Sequence, residues 1–103
     1  MMSEIEVCIS WTGSGAELLQ WVDDDEIIFP TARAVFRVNR SPIVFTYEGS
    51  PPGDGRLFEW ILLFPEKTAK QLKAQVRFDG GPWHSLSKAK EKQHSWTDSG
   101  VAP

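Results

Sequence analysis

Residues 56–64 read RLFEWILLF, and after Arg56 the only charge in the run is Glu59. Strand side chains alternate between two faces. Phe58, Trp60, Leu62 and Phe64 therefore share one face, and Leu57, Ile61 and Leu63 share the other. A run apolar on both sides predicts a strand covered above and below, and Pro65 stops it at a length that suits a strand better than a buried helix. This segment is the expected central strand.

Around it the pattern predicts further short strands. Residues 4–11 alternate Ile5, Val7, Ile9 and Trp11 with Glu4, Glu6, Cys8 and Ser10, ending at the Thr12-Gly13-Ser14-Gly15 turn. Residues 16–22 (AELLQWV) fit a helical face and a strand face equally. Asp23-Asp24-Asp25 reads as a solvated acidic loop, and residues 26–29 (EIIF) form a short piece that Pro30 closes or places at a sheet edge. Residues 33–39 and 43–48 alternate on either side of Asn39-Arg40-Ser41-Pro42, which predicts a hairpin. Residues 49–55 (GSPPGDG) predict an exposed loop. A single helical turn is expected in residues 66–71. Leu72, Ala74, Val76 and Phe78 then alternate with Lys73, Gln75 and Arg77, and Asp79-Gly80-Gly81 predicts a tight return through residues 83–87. From Lys88 the apolar pattern is lost. The expected organisation is one β domain over residues 1–87 and a flexible polar tail over residues 88–103, with Trp96 the one residue there able to dock.

About seven short strands separated by turn signals predict a mainly β, single-domain antiparallel β-sandwich, Ig-like or related. A small β-barrel is the alternative, with at most one or two short helices in either case. The doubly apolar central run adds the expectation of extra cover across one face. Residues 76–86, VRFDGGPWHSL, resemble the Asp-Gly-Gly–Trp hairpins of Ig-like sandwiches and the Asp-box turns of sialidase-type propellers. They depart from the Asp box at Pro82 and in lacking a Ser or Thr before the aspartate. The resemblance implies β architecture and transfers no activity.

Composition narrows this further. A chain of 103 residues, 41% hydrophobic and 24% charged, has room for one ordinary globular core. No apolar stretch approaches the ~20 residues that span a bilayer, and MMSEIEVCIS is not a signal peptide, so a cytoplasmic setting is expected. One cysteine, Cys8, excludes an internal disulfide and a thiolate zinc cluster. The net charge is −3, unevenly spread. Residues 1–32 carry seven acids (Glu4, Glu6, Glu17, Asp23, Asp24, Asp25, Glu26) and no base, leaving seven acids and eleven bases beyond. No basic footprint for nucleic acid is present.

Candidate chemistry is sparse. Glu59, a carboxylate inside an apolar run, is the most suggestive acid, because desolvation raises a carboxyl toward general-acid use. The competing expectation pairs it with Arg56, Arg37 or Arg77. His84, five residues beyond Asp79 across a tight turn, makes an Asp–His dyad conceivable, with no nucleophile motif beside it. His94 falls in the expected tail. Cys8 reads as a packing residue. Asp23, Asp24 and Asp25 supply oxygen ligands, but their spacing does not match a calcium loop, and no metal or cofactor is expected.

The five tryptophans are the clearest departure from an ordinary composition. Trp60 belongs to the expected core. Trp11 and Trp83 sit at strand ends beside turns, where an indole can anchor a protein interface or stack on a sugar. The leading expectation is a non-enzymatic protein-binding module, of inhibitor, immunity, phage or adaptor type, contacting another protein or a second copy through Trp83, Trp11, Tyr47 and Asp23-Asp24-Asp25. The alternatives are a carbohydrate-binding module stacking sugars on Trp83, Trp11 and Tyr47, and a small hydrolase or lyase using Glu59, His84 or Asp79.

Overall fold

The computed structural model describes residues 2–13, 15–24, 26–29, 36–38, 40–53, 56–63, 70–86, 90–92 and 95–102. Among the described residues ten strands follow in order: β1 (Ser3–Thr12), β2 (Ala16–Asp23), β3 (Glu26–Phe29), β4 (Phe36–Val38), β5 (Ile43–Gly49), β6 (Arg56–Leu63), β7 (Lys70–Phe78), β8 (His84–Ser85), β9 (Lys90–Lys92) and β10 (Ser95–Ala102). They form two antiparallel sheets that do not close into a barrel. Sheet A has the order β5-β1-β7-β8. Sheet B has the order β3-β2-β6-β10-β9, and β4 also pairs with β2. Because β6 occupies one edge of β2, β3 and β4 share the other: β4 lies against Ala16 to Leu18 and β3 against Trp21 to Asp23. No helix among the described residues is long and apolar enough to cross a membrane.

The sandwich follows from the alternation. Ile5, Val7, Ile9 and Trp11 of β1, Ile43 and Phe45 of β5, and Ala74, Val76 and Phe78 of β7 turn inward from sheet A. Phe58, Trp60 and Leu62 of β6 meet them from sheet B, together with Ala16, Leu18 and Trp21 of β2. Trp21 joins the two layers. Its ring stacks on Trp60 at 5.3 Å, and it meets Phe45 of the opposite sheet edge-on at 5.5 Å and 81°. Aromatic pairs favour such geometries over a face-to-face sandwich.

The ambiguous segment of residues 16–22 is strand β2 with a bulge. Its register against β6 slips between Leu18 and Gln20. A bulge inserts one unpaired residue and resets the alternation. Ala16 and Leu18 face the core before it, and Trp21 and Asp23 face the core after it. Neither a clean period of two nor one of 3.6 survives that interruption.

Two connections differ from the expected ones. Of the expected hairpin between residues 33–39 and 43–48, residues 33–35 and 39 lie outside the described residues, while β4 (36–38) pairs with β2 in sheet B and β5 pairs with β1 in sheet A, so the two strands are not hairpin partners. The Arg40-Ser41-Pro42 link crosses between sheets, and Ser41 Oγ accepts the Trp11 N–H at 2.9 Å, tying the crossing to the end of β1. Residues 88–103 are not simply a tail, because β9 and β10 lie in them. β10 pairs with β6 over eight positions, with Trp96 opposite Leu62 and Asp98 opposite Trp60. Without that pairing one edge of the central strand would have unmet backbone donors and acceptors, a cost that does not depend on an apolar side-chain pattern. The expected helical turn falls at residues 66–71, of which 66–69 lie outside the described residues, while Lys70 and Gln71 open β7.

β6 is central in sheet B, between β2 and β10. Its inward face is sealed. Its outward face is only half-buried at Leu57, Ile61 and Leu63, and Glu59 is exposed, so cover on both sides is not what this strand receives. The return at Asp79-Gly80 is a tight turn with both residues at positive φ, 51° and 71°. Gly81 N–H closes it onto the Phe78 carbonyl at 2.9 Å.

Candidate functional site

Two polar assemblies stand out, one inside an end of the sandwich and one on its surface. The inner one begins with Asp23, which the bulge in β2 turns inward, and Arg56, which shares the inward parity of Phe58 and Trp60 on β6. Both are almost fully buried, at 5% and 4% exposure. Arg56 Nε donates to Asp23 Oδ1 at 2.7 Å and its second terminal nitrogen to Oδ2 at 2.5 Å, a two-point grip. Its remaining terminal nitrogen donates to the carbonyls of Ser50 and Pro51 at 2.5 and 3.0 Å. The guanidinium lies 5.6 Å from the Phe58 ring and 5.2 Å from the Phe78 ring. Its hydrogen bonds to Asp23 raise its already high pKa.

Tyr47 completes this assembly from sheet A. Its hydroxyl accepts the Trp21 Nε1 hydrogen at 3.0 Å and donates to Asp23 Oδ2 at 2.9 Å. Burial pushes the phenol pKa far above its ordinary value, and the charge of Asp23 adds to that. Gly49 makes the close approach possible. A Cβ there would fall 2.8 Å from Ile5 Cδ1, 3.2 Å from the Arg56 guanidinium and 3.5 Å from Asp23 Oδ2.

The expected acidic loop is therefore split in its roles. Asp23 is a buried structural anion, because a buried charge persists only when paired and hydrogen-bonded. Asp24 is exposed at a φ of 52° and ties the turn to β6. Its N–H donates to the Leu57 carbonyl at 2.6 Å, and its Oδ1 accepts the Leu57 N–H at 2.8 Å. Asp25 lies outside the described residues. An open depression of about 350 Å³ is lined by Asp23, Asp24, Glu26, Ser50 and Arg56. Both Asp23 oxygens are committed to Arg56 and Tyr47. Among the described residues no group of three or more His, Cys, Asp or Glu side chains converges in a way that would hold a metal ion.

The outer assembly lies on the open face of sheet A. Arg77 of β7 stands opposite Glu6 of β1 and donates from Nε to Glu6 Oε1. Its guanidinium also lies over the Trp83 ring, 4.6 Å from the centroid, and Trp83 is 38% exposed. Trp83, Arg77 and Glu6 thus form one row across the sheet. A cation over an indole face is favourable, and it holds both side chains in one arrangement.

The remaining candidates are scattered. Trp11 is a core residue at 5% exposure, which removes it as a contact or stacking surface. Tyr47 is half-buried with its hydroxyl engaged inside, so it too offers no sugar platform. Glu59 is exposed on the outer face of sheet B and is not desolvated by its apolar neighbours. Nor do its expected partners reach it, for Arg56 is held by Asp23 and Arg77 by Glu6; the side chain of Arg37 lies outside the described residues. His84 sits at the rim of sheet A against Phe78, with ring centroids 6.2 Å apart. Asp79 is turned to β1, where its Oδ1 accepts the Glu4 N–H at 2.9 Å and its own N–H donates to the Glu4 carbonyl at 2.8 Å. Glu59 is separated from the other two by the thickness of the sandwich, ~10 Å between sheets. Burial, and then Glu6, push the Cys8 thiol up, away from thiolate chemistry.

In the sequence Arg56 and Arg77 stand out only as expected partners of Glu59, and their places beside Asp23 and Trp83 are what residue-by-residue reading passes over. The signal for Arg56 is its parity, since it shares the face of Phe58 and Trp60. The signal for Arg77 is weaker, namely an outward position in the hairpin that brings back Trp83. Comparison with protein-family models, with curated proteins and with solved structures finds no match to this chain.

Proposed function

We propose that the protein is a non-enzymatic protein-binding module that meets its partner with the open face of sheet A, anchored on Trp83. The observation that carries this reading is the half-exposed Trp83 ring held by Arg77, itself held by Glu6. Tryptophan and arginine are the side chains most enriched at interface hot spots. A pre-ordered pair loses less side-chain freedom on binding than two mobile ones would. Glu4 and Glu6 on one side and Lys73 and Arg77 on the other give this face both signs of charge, which favours a particular orientation of a partner.

The carbohydrate reading keeps only one of its three stacking residues, and Arg77 already covers a face of that ring. The hydrolase or lyase reading has Glu59 on sheet B and His84 and Asp79 on sheet A, separated by the thickness of the sandwich. Affinity capture from the native host lysate, run in parallel with wild type and Trp83→Ala, tests the proposal. Support is a protein retained by the wild type, lost by the variant and bound again when purified. Retention of the same proteins by both, or quenching of tryptophan fluorescence by a glycan in place of any protein, would overturn it.

A further inference from the structure

The two sheets protect their edges unequally. Sheet B ends in β9, three residues long, and on the other side in β3 and β4, of four and three residues. Sheet A ends on one side in β8, two residues long. Edges this short offer little for another chain to pair with, and shortness is one of the ordinary means by which proteins blunt a sheet edge. β5 is the longest of the strands that end either sheet. It is a seven-residue edge strand, and its ladder to β1 runs without interruption from Ile9↔Ile43 to Ser3↔Gly49. It has no bulge, no internal proline and no lysine, and its one charge is Glu48 near the end. Among the described residues no strand pairs with its outer edge. Val44 on its outward face is 50% exposed, one of the few large apolar side chains so placed.

We infer that β5 is a self-pairing edge, and that two copies of this chain join through it in antiparallel fashion about a twofold axis at Thr46. The occupant is set by the strand's own sequence. An antiparallel pair related by a twofold keeps each residue opposite one of the same parity, because paired residues share a face. For a strand running from residue 43 to 49, only an axis at residue 46 matches all seven positions. In that register Thr46 meets Thr46 of the second copy, Val44 meets Glu48, Phe45 meets Tyr47 and Ile43 meets Gly49. Threonine–threonine and aromatic–aromatic pairs are among the favourable cross-strand combinations, and no like charges face each other. Phe45 and Tyr47 already stack within one chain at 6.2 Å and 25°. The pairing would extend that stack and join two four-stranded sheets A into one. It leaves the Trp83 row free, because β5 and β8 are opposite edges of sheet A. The inference therefore stands apart from the proposed partner surface.

The test is a charge swap at the axis, read by sedimentation velocity over a range of concentrations. Thr46 is exposed, so Thr46→Lys and Thr46→Glu should both fold, which circular dichroism and the urea midpoint verify. Wild type should form a dimer. Each variant alone should dimerise about fivefold more weakly, because like charges then meet at the axis, and an equimolar mixture of the two should recover the dimer. Hydrogen exchange of wild type supplies a reading that needs no variant, since the amides of β5 should gain protection as concentration rises. A wild type that stays monomeric, variants that dimerise as well as wild type, or a mixture no tighter than its components would each overturn the inference.

Discussion

Replacing Asp23 by alanine would leave the Arg56 guanidinium in the interior with two of its donors unmatched. Arg56 is 4% exposed, and two of its four hydrogen bonds end on Asp23. Phe58, Phe78 and Gly49 cover the charge on its inner side, so water entering from the open depression beside the pair would replace the lost carboxylate on one side alone. Breaking a buried pair from one side typically costs about 3–5 kcal/mol, against roughly 0–1 kcal/mol for an exposed pair. Set beside a total stability of about 5–15 kcal/mol for an ordinary domain, Asp23→Ala should consume a large share. Urea unfolding followed by the fluorescence of buried Trp21 and Trp60 is the assay. With a slope of about 1–3 kcal/mol per molar urea, the midpoint should fall by about 1 M or more. Asp23→Leu combined with Arg56→Met removes both charges, and should cost less than Asp23→Ala alone, since an apolar replacement for a buried ion pair is often close to neutral. A midpoint shift equivalent to less than about 0.5 kcal/mol for Asp23→Ala, the range of an ordinary surface substitution, would refute the reasoning and place the pair in solvent.

Three further outcomes follow from the same interior. Tyr47 holds its proton more tightly in the folded chain than in the unfolded one, so its contribution is fully present below about pH 10 and is lost as pH rises above that value; stability measured against pH should fall there by up to ~1.4 kcal/mol per unit, and Tyr47→Phe should flatten that decline, whereas an unchanged slope would contradict the burial of the phenol. Gly49→Ala should destabilise by about 1–3 kcal/mol through overpacking, because the new methyl meets Ile5 inside the core and the Asp23–Arg56 pair beside it; urea titration should show the drop, and undiminished stability would mean that Ile5 turns aside without cost. Trp21 and Trp60 are both buried, but the Trp21 indole N–H has a hydrogen-bond partner, and that of Trp60 has none among the described residues. Trp60→Phe should therefore cost about 1 kcal/mol or more less than Trp21→Phe, since it discards an unsatisfied donor rather than a made bond; equal losses in the same titration would count against that assignment.

Much of the sandwich is legible in the chain. β1 and β7 alternate without interruption, and the parity of Ile5, Val7 and Ile9 or of Ala74, Val76 and Phe78 states which face is buried. The length and apolar content of residues 56–63 likewise mark β6 as central. What is not legible is whatever depends on a partner distant in sequence. The bulge in β2 hides its strand character, because alternation resets between Leu18 and Gln20. A turn such as Asn39-Arg40-Ser41-Pro42 has the same composition whether it closes a hairpin or crosses to the other sheet. β10 is held by the backbone of β6, so its side chains carry little signal. The Asp23–Arg56 pair joins positions 33 residues apart, and Asp23 looks like its neighbour Asp24 until the bulge turns it inward. A place at a strand end beside a turn marks Trp83 and Trp11 alike, and only Trp83 is exposed, so that signal does not decide which indole faces solvent.

The proposed role rests on Trp83 most directly, and one binding measurement addresses it. A partner captured by the wild-type protein, purified and titrated calorimetrically against wild type and Trp83→Ala, should lose at least ~2 kcal/mol of binding free energy, about thirtyfold in affinity, as expected of an interface anchor. The variant should keep its urea midpoint, because Trp83 lies outside the core. Equal affinity for the two proteins would contradict the account and move the interface off this face of sheet A.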